Sequence, residues 1–296
     1  MKKLVFTGSG VALVTPMKAD GSINYDVLNN LIEFHISNGT DAIIACATTG
    51  ESPVLNHEEH CKAIQFIVDH VNKRIPVVAS SGSNDTNYAV ELSRSAQELG
   101  ADALLMVTPY YNKTSQSGLV KHYNYVADRV DLPIILYNVP SRTGCNIKPE
   151  TYLELSKHPN IVAVKEANGD ISSVAKTISL CRDNLTVYSG EDGQTLPMLV
   201  LGGKGVISVF ANILPNVMHK ICADYFAGDV VSSRKAVLKY FELMDALFMD
   251  VNPIPVKAAM KMLGVDCGDC RLPLTTMSEE GEVKLASVLK KYQLLK

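Results

Sequence analysis

The chain has 296 residues, 47% of them hydrophobic and 20% charged, with a formal net charge of −3. That balance supplies enough apolar side chains for a sizeable core and offers no basic face for nucleic acid. No apolar run approaches the roughly 18 residues that cross a bilayer, and Met1-Lys-Lys-Leu-Val-Phe-Thr-Gly8 has too short an apolar stretch for a secretion signal. Seven scattered cysteines, an odd number, fit reduced thiols, so a cytoplasmic protein is expected and the sequons at Asn84, Asn112 and Asn184 carry no information.

Taken in order, short apolar runs alternate with longer amphipathic ones. Strands are predicted over residues 10–15, 42–47, 76–81, 103–108, 133–138, 161–166, 186–190 and 205–210. Helices are predicted between them, over 25–37, 57–71, 86–99, 118–130, 171–181 and 215–226. Each strand is a run of about six residues, rich in β-branched side chains and showing little inside/outside polarity, the pattern of parallel strands buried on both faces. Eight such βα units predict an α/β fold, the closed (β/α)8 barrel, over residues 1–226. Residues 227–296 contain three more helical segments, 232–248, 254–263 and 279–292, and no strand, so they are expected to form a helical appendix packed on the barrel. No linker-like or low-complexity tract separates the two parts.

In a (β/α)8 barrel chemistry sits at the C-terminal ends of the strands. Those ends carry Thr48-Thr49-Gly50-Glu51-Ser52, Thr108-Pro109-Tyr110-Tyr111-Asn112, Tyr137-Asn138-Val139-Pro140-Ser141-Arg142-Thr143-Gly144 and Ser189-Gly190-Glu191-Asp192. The sixth strand, Ile161-Val-Ala-Val-Lys165-Glu166, places one lysine near the end of an apolar run. Burial disfavours the charged ammonium, and the neutral amine it leaves is a nucleophile able to form a Schiff base with a carbonyl substrate. A lysine at a strand end can also simply snorkel to water. Strict alternation puts Lys165 on one face with Ile161 and Ala163, and Tyr137 with Ile135, while Val162, Val164, Ile134 and Leu136 face the helices.

These strand-end motifs, with Gly8-Ser-Gly-Val-Ala-Leu-Val-Thr-Pro16, Asn252-Pro-Ile-Pro-Val-Lys257 and Arg271-Leu-Pro-Leu274, resemble the pyruvate-dependent class I aldolases and, within them, the dihydrodipicolinate synthase family. The resemblance runs over nearly the whole chain. It implies that Lys165 condenses with pyruvate and that the resulting enamine attacks aspartate semialdehyde. It further implies Tyr137 as proton relay, Thr48 linking it to Tyr111 from a neighbouring subunit, Thr49 holding the pyruvate carboxylate and Arg142 that of the semialdehyde. Gly190 and Ile207 are expected to line the pocket. The chemistry of the residues agrees: a threonine between two tyrosines can pass protons, free N–H groups in the Thr48-Thr49-Gly50 turn suit a carboxylate, and a guanidinium grips a second one in two places. A homotetramer built as a dimer of dimers is implied, with no cofactor and no metal.

The resemblance also implies an effector site for lysine at the subunit interface, at Ser52, Pro53, His57, His60, Asn84, Tyr88 and Tyr110. Tyr88 stands where regulated members carry a glutamate, and Pro53 replaces a small flexible residue. Weak or absent inhibition by lysine is therefore expected.

Other motifs are set aside. His57-Glu58-Glu59-His60 spaces its histidines three apart rather than the four of a zinc-protease helix. Cys267-Gly-Asp-Cys270 lacks a second ligand pair, and Gly202-Gly203-Lys204-Gly205 reads as the turn into the eighth strand. Two other functions share part of the signal. A sister lyase, such as an N-acetylneuraminate lyase or a keto-deoxy sugar-acid aldolase, would keep Lys165 and Tyr137 but not Arg142 in this setting or Thr48 before Thr49. A barrel that had become a binding protein would be expected to lose Lys165 or its relay.

Overall fold

A computed structural model describes residues 2–295. Eight strands, β1 (Gly8–Ala12), β2 (Ala42–Ala45), β3 (Val77–Ser80), β4 (Ala103–Val107), β5 (Ile134–Asn138), β6 (Ile161–Glu166), β7 (Thr186–Ser189) and β8 (Gly205–Ser208), pair in parallel and close into a barrel in chain order. The helices between them are α1 (Tyr25–Ser37), α2 (His57–Val71), α3 (Thr86–Glu98), α4 (Gln116–Ala127), α5 (Pro140–Thr143), α6 (Pro149–Leu155), α7 (Ile171–Cys181), α8 (Thr195–Val200) and α9 (Pro215–Phe226). Three more, α10 (Val230–Ala246), α11 (Ile254–Met262) and α12 (Glu279–Lys291), follow without a strand. Among the described residues no helix is long and apolar enough to cross a membrane.

The helices start where polar side chains can satisfy the free N–H groups of the first turn. Asn24, Asp85, Ser115 and Asp170 each accept from a backbone N–H three residues on, and Asn56 with Glu59 forms a capping box at the head of α2. Helices α5, α6 and α8 were not anticipated from periodicity. At four, seven and six residues they are too short to display an amphipathic repeat, and prolines at Pro140, Pro149 and Pro197 obscure them.

Two apolar layers result from the alternation along each strand. Ala42, Ile44, Val78, Leu105, Ile135 and Ile207 fill the barrel, whereas Ile43, Leu104, Ile134, Leu136, Val164 and Val206 pack outward against the helices. One pair departs from expectation: Ile161 belongs to the outer layer and Val162 to the inner one. The β5–β6 ladder steps from Ile134↔Ile161 directly to Ile135↔Ala163, so Val162 is an extra residue that reverses the phase at the start of β6. From Ala163 onward the alternation resumes, and Lys165 pairs with Tyr137 on one side and Tyr188 on the other. Phe6, just before β1, stacks on Tyr188 with ring centroids 4.3 Å apart and closes the N-terminal end of the barrel.

The C-terminal helices are anchored by polar contacts as well as packing. Lys257 on α11 donates from Nζ to Glu51 Oε1 at 2.8 Å, and both side chains are almost fully buried. Glu51 Oε2 accepts from the Arg271 backbone N–H at 2.8 Å, and Glu59 pairs with the Arg271 guanidinium, so one of the two glutamates of the His57–His60 stretch is spent on a cap and an ion pair. The glycine-rich stretch at residues 202–205 forms the turn into β8. Because removing one member of a buried ion pair strands the other, Lys257→Met should lower the unfolding free energy by about 3–5 kcal/mol in a denaturant titration. Adding Glu51→Gln should recover part of that loss; a change below about 1 kcal/mol in Lys257→Met would show that the pair contributes no stability.

Candidate active site

At the C-terminal rim of the barrel the strand ends surround a cavity of about 700 Å³. Thr48, Thr49, Tyr137, Arg142, Lys165 and Gly190 all line it, although they come from four separate βα units. Ile207 does not; it lies one layer down, fully buried in the barrel interior, and Val209 just past the end of β8 takes the wall. Tyr111 is also outside. It is 91% exposed and held in the left-handed region at φ 70°.

Lys165 sits 4% exposed at the end of β6, its Nζ 4.3 Å from the centroid of the Tyr137 ring. Its neighbour Glu166 points to the opposite face and is held there by Asn138 Nδ2 at 2.9 Å, the Tyr152 hydroxyl at 2.7 Å and the Asn168 N–H at 3.1 Å. Burial pushes the Glu166 carboxyl up to about 7, against these hydrogen bonds, which pull it down. The network ties the end of β6 to β5 and α6 and so fixes where Lys165 emerges.

Gly190 makes room beside the lysine. A Cβ there would lie 2.7 Å from the Cβ of Ala167 and 3.0 Å from the Glu166 carbonyl oxygen, so only glycine lets the chain leaving β7 pass this close to the end of β6. Beyond it Asp192 is buried, accepting at Oδ2 from the Val209 and Phe210 N–H groups at 3.2 and 2.9 Å. Burial raises the Asp192 carboxyl, while those bonds and the charge of Lys165 lower it. Asp192, Glu191 and Asn252 line the cavity but escaped the sequence reading, although each stood inside a motif already noted. Phe241, Met244 and Phe248, from α10 and just beyond it, were not singled out at all and cover the cavity from the side of the C-terminal helices.

Across the mouth, Arg142 donates from Nη2 to the Asn252 carbonyl oxygen at 3.3 Å, and Asn252 Nδ2 donates to Thr49 Oγ1 at 3.0 Å. A positive fork and a hydroxyl-bearing turn thus face one cavity with a buried lysine, an arrangement with room and partners for a small molecule carrying carboxylates.

A second cavity of about 390 Å³ shares Thr48, Tyr137 and Arg142 with the first. Ser52, Pro53, His60, Tyr88 and Tyr110 line its far side. His60 is buried, its Nε2 2.8 Å from the Ser80 carbonyl oxygen, and burial lowers its basicity. His57 lies behind Tyr88, ring centroids 6.1 Å apart, and the Asn84 carbonyl accepts from Asn112 Nδ2 at 2.9 Å. Cys267 and Cys270 are free thiols that burial pushes up to about 12 and about 11. Among the described residues no group of three or more His, Cys, Asp or Glu is placed to hold a metal.

Comparison with known proteins agrees with this geometry. The model of the "Dihydrodipicolinate synthetase family" matches residues 5–292. The chain is 52% identical over its whole length to a 4-hydroxy-tetrahydrodipicolinate synthase of Acetivibrio thermocellus, covering all of that protein. It is 54% identical to one of Thermoanaerobacter sp. (strain X514), covering 99% of this chain and 98% of the other. The crystal structure of dihydrodipicolinate synthase from Aquifex aeolicus superposes with a TM-score of 0.95 at 48% identity, over 98% of this chain and 99% of that one. Matched along almost its full length in sequence and in fold, the chain belongs to the dihydrodipicolinate synthetase family.

Proposed function

We propose that this chain condenses pyruvate with L-aspartate 4-semialdehyde to give 4-hydroxy-tetrahydrodipicolinate, a lyase-class step of lysine and diaminopimelate biosynthesis. The observation that carries the reading is a lysine 4% exposed at the end of β6, inside a cavity that also holds Tyr137 and Arg142. In this reading the Lys165 Nζ adds to the keto carbon of pyruvate, and loss of water from the carbinolamine leaves an imine. Removal of a methyl proton gives the enamine, whose carbon attacks the aldehyde. The amino group of the adduct then closes the ring onto the imine carbon and releases Lys165. Tyr137 and Thr48 move the protons these steps require, Thr49 and its turn hold the pyruvate carboxylate, and Arg142 holds that of the semialdehyde.

Tyr111 completes the relay from a neighbouring copy in this proposal, which its near-complete exposure supports. The assembly is then a homotetramer of two such pairs. We assign the reaction to the cytoplasm, as the free state of all seven cysteines supports.

Incubation with pyruvate followed by borohydride should inactivate the protein and mark Lys165 alone by peptide mass, and Lys165→Ala should prevent marking. An adduct on a different lysine would sink the mechanism. Arg142→Ala should reduce turnover with the semialdehyde by roughly ten- to a hundredfold, the loss of one charge-assisted contact, while pyruvate still marks Lys165. If marking fell as far as turnover, Arg142 would belong to the first substrate instead.

Lysine should inhibit weakly or not at all. The second cavity presents Tyr88 and a buried, weakly basic His60 where an effector ammonium would need a carboxylate, and lacking that partner costs roughly ten- to a hundredfold in affinity. Titrating lysine in a coupled assay checks this, and Tyr88→Glu should strengthen inhibition. Strong inhibition of the unaltered protein below millimolar lysine would overturn it.

A further inference from the structure

We propose that Asn252 is a positioning residue that sets the spacing between the two carboxylate sites of the cavity. The inference rests on reading Thr49 and Arg142 as those sites. Thr49 follows β2 and Arg142 lies in α5 after β5, and β3 and β4 stand between the two strands in the barrel. No ladder hydrogen bond therefore joins them directly. Asn252 spans the gap from outside the barrel: its side-chain Nδ2 donates to Thr49 Oγ1 at 3.0 Å, and its main-chain oxygen accepts from Arg142 Nη2 at 3.3 Å.

The residue is built to hold this place. It is 5% exposed and lines the cavity just ahead of α11. One turn into that helix, Lys257 grips Glu51, two residues beyond Thr49. The Thr48–Glu51 turn is thus held by the same C-terminal segment at two points. Among the described residues Asn252 Oδ1 has no hydrogen-bond partner, and the amide is oriented by its donation to Thr49.

Substituting Asn252 removes the side-chain bond to Thr49 but keeps the main-chain oxygen that Arg142 uses, so it should weaken pyruvate binding more than it slows chemistry. In Asn252→Ala the pyruvate concentration that half-saturates borohydride marking of Lys165 should rise about three- to tenfold, the span of one neutral hydrogen bond. KM for the semialdehyde should rise by less, because the main-chain contact to Arg142 remains, and kcat should fall by less than pyruvate binding weakens. Asn252→Asp keeps the shape, cannot donate to Thr49 and puts a negative charge beside the carboxylate sites, so its half-saturation should exceed that of Asn252→Ala. Because Asn252→Asp preserves the packing, it keeps the test decisive if the alanine variant folds poorly. Normal half-saturation in either variant, or a loss of kcat at unchanged KM, would overturn the assignment while leaving the Schiff-base reading intact. Absence of marking in the unaltered protein would instead remove that reading and this one together.

Discussion

The strand-end residues around the cavity share one rim because β8 closes onto β1. Gly8 pairs with Gly205, and a Cβ built on Gly205 would stand 2.0 Å from the Gly8 carbonyl oxygen, with φ at 154°. A side chain there would push the two strands apart and open the barrel. With the ring closed, all eight strands run the same way and deliver their C-terminal ends to one rim. Residues far apart in sequence, such as Thr48 and Lys165, then meet across a single cavity without any local signal having to specify the encounter.

Closure also decides how polar groups can be buried. Lys165 and Glu166 are consecutive and face opposite ways, so one meets the interior and the other the helix layer. Glu166 is surrounded by three donors and still has its carboxyl raised to about 7, because burial outweighs the bonds it receives. Lys165 has instead the face of Tyr137 and, farther off, the carboxyl of Asp192. Rigid support outside and a sparsely paired amine inside follow from one register, and shifting it by a residue would exchange the two.

The β6 boundaries are legible to the residue, as are those of α1, α2, α7 and α9, because long amphipathic runs and uninterrupted apolar ones each have a distinct period. The rest was hidden for separable reasons. Val162 reversed the phase through a bulge, which depends on the partner strand and leaves no mark in the sequence of β6 itself. Ile207 was expected to line the pocket, but depth along the barrel axis is a property of stagger between strands. Six of the strand-end residues could be gathered from motif and architecture together. Asn252 could not, since its two contacts join segments that only the closed barrel and the C-terminal helices bring together.

Those C-terminal helices explain why a barrel alone would be a poor setting for the proposed chemistry. The strand ends supply hydroxyls, a guanidinium and an amine, all of which water would solvate and weaken. An imine exposed to bulk water is also open to hydrolysis before its carbon nucleophile has reacted. Phe241, Met244 and Phe248 add an apolar wall to the same cavity, and the Lys257–Glu51 pair together with Arg271 fastens the following segment to the rim. A wall anchored through buried charges cannot drift without stranding one of them, so the fastening that holds the helices in place also keeps the cavity shaped. The polar rim and the apolar wall are therefore interdependent: either without the other would leave Lys165 too well solvated, or too poorly oriented, for the nucleophilic role proposed for it.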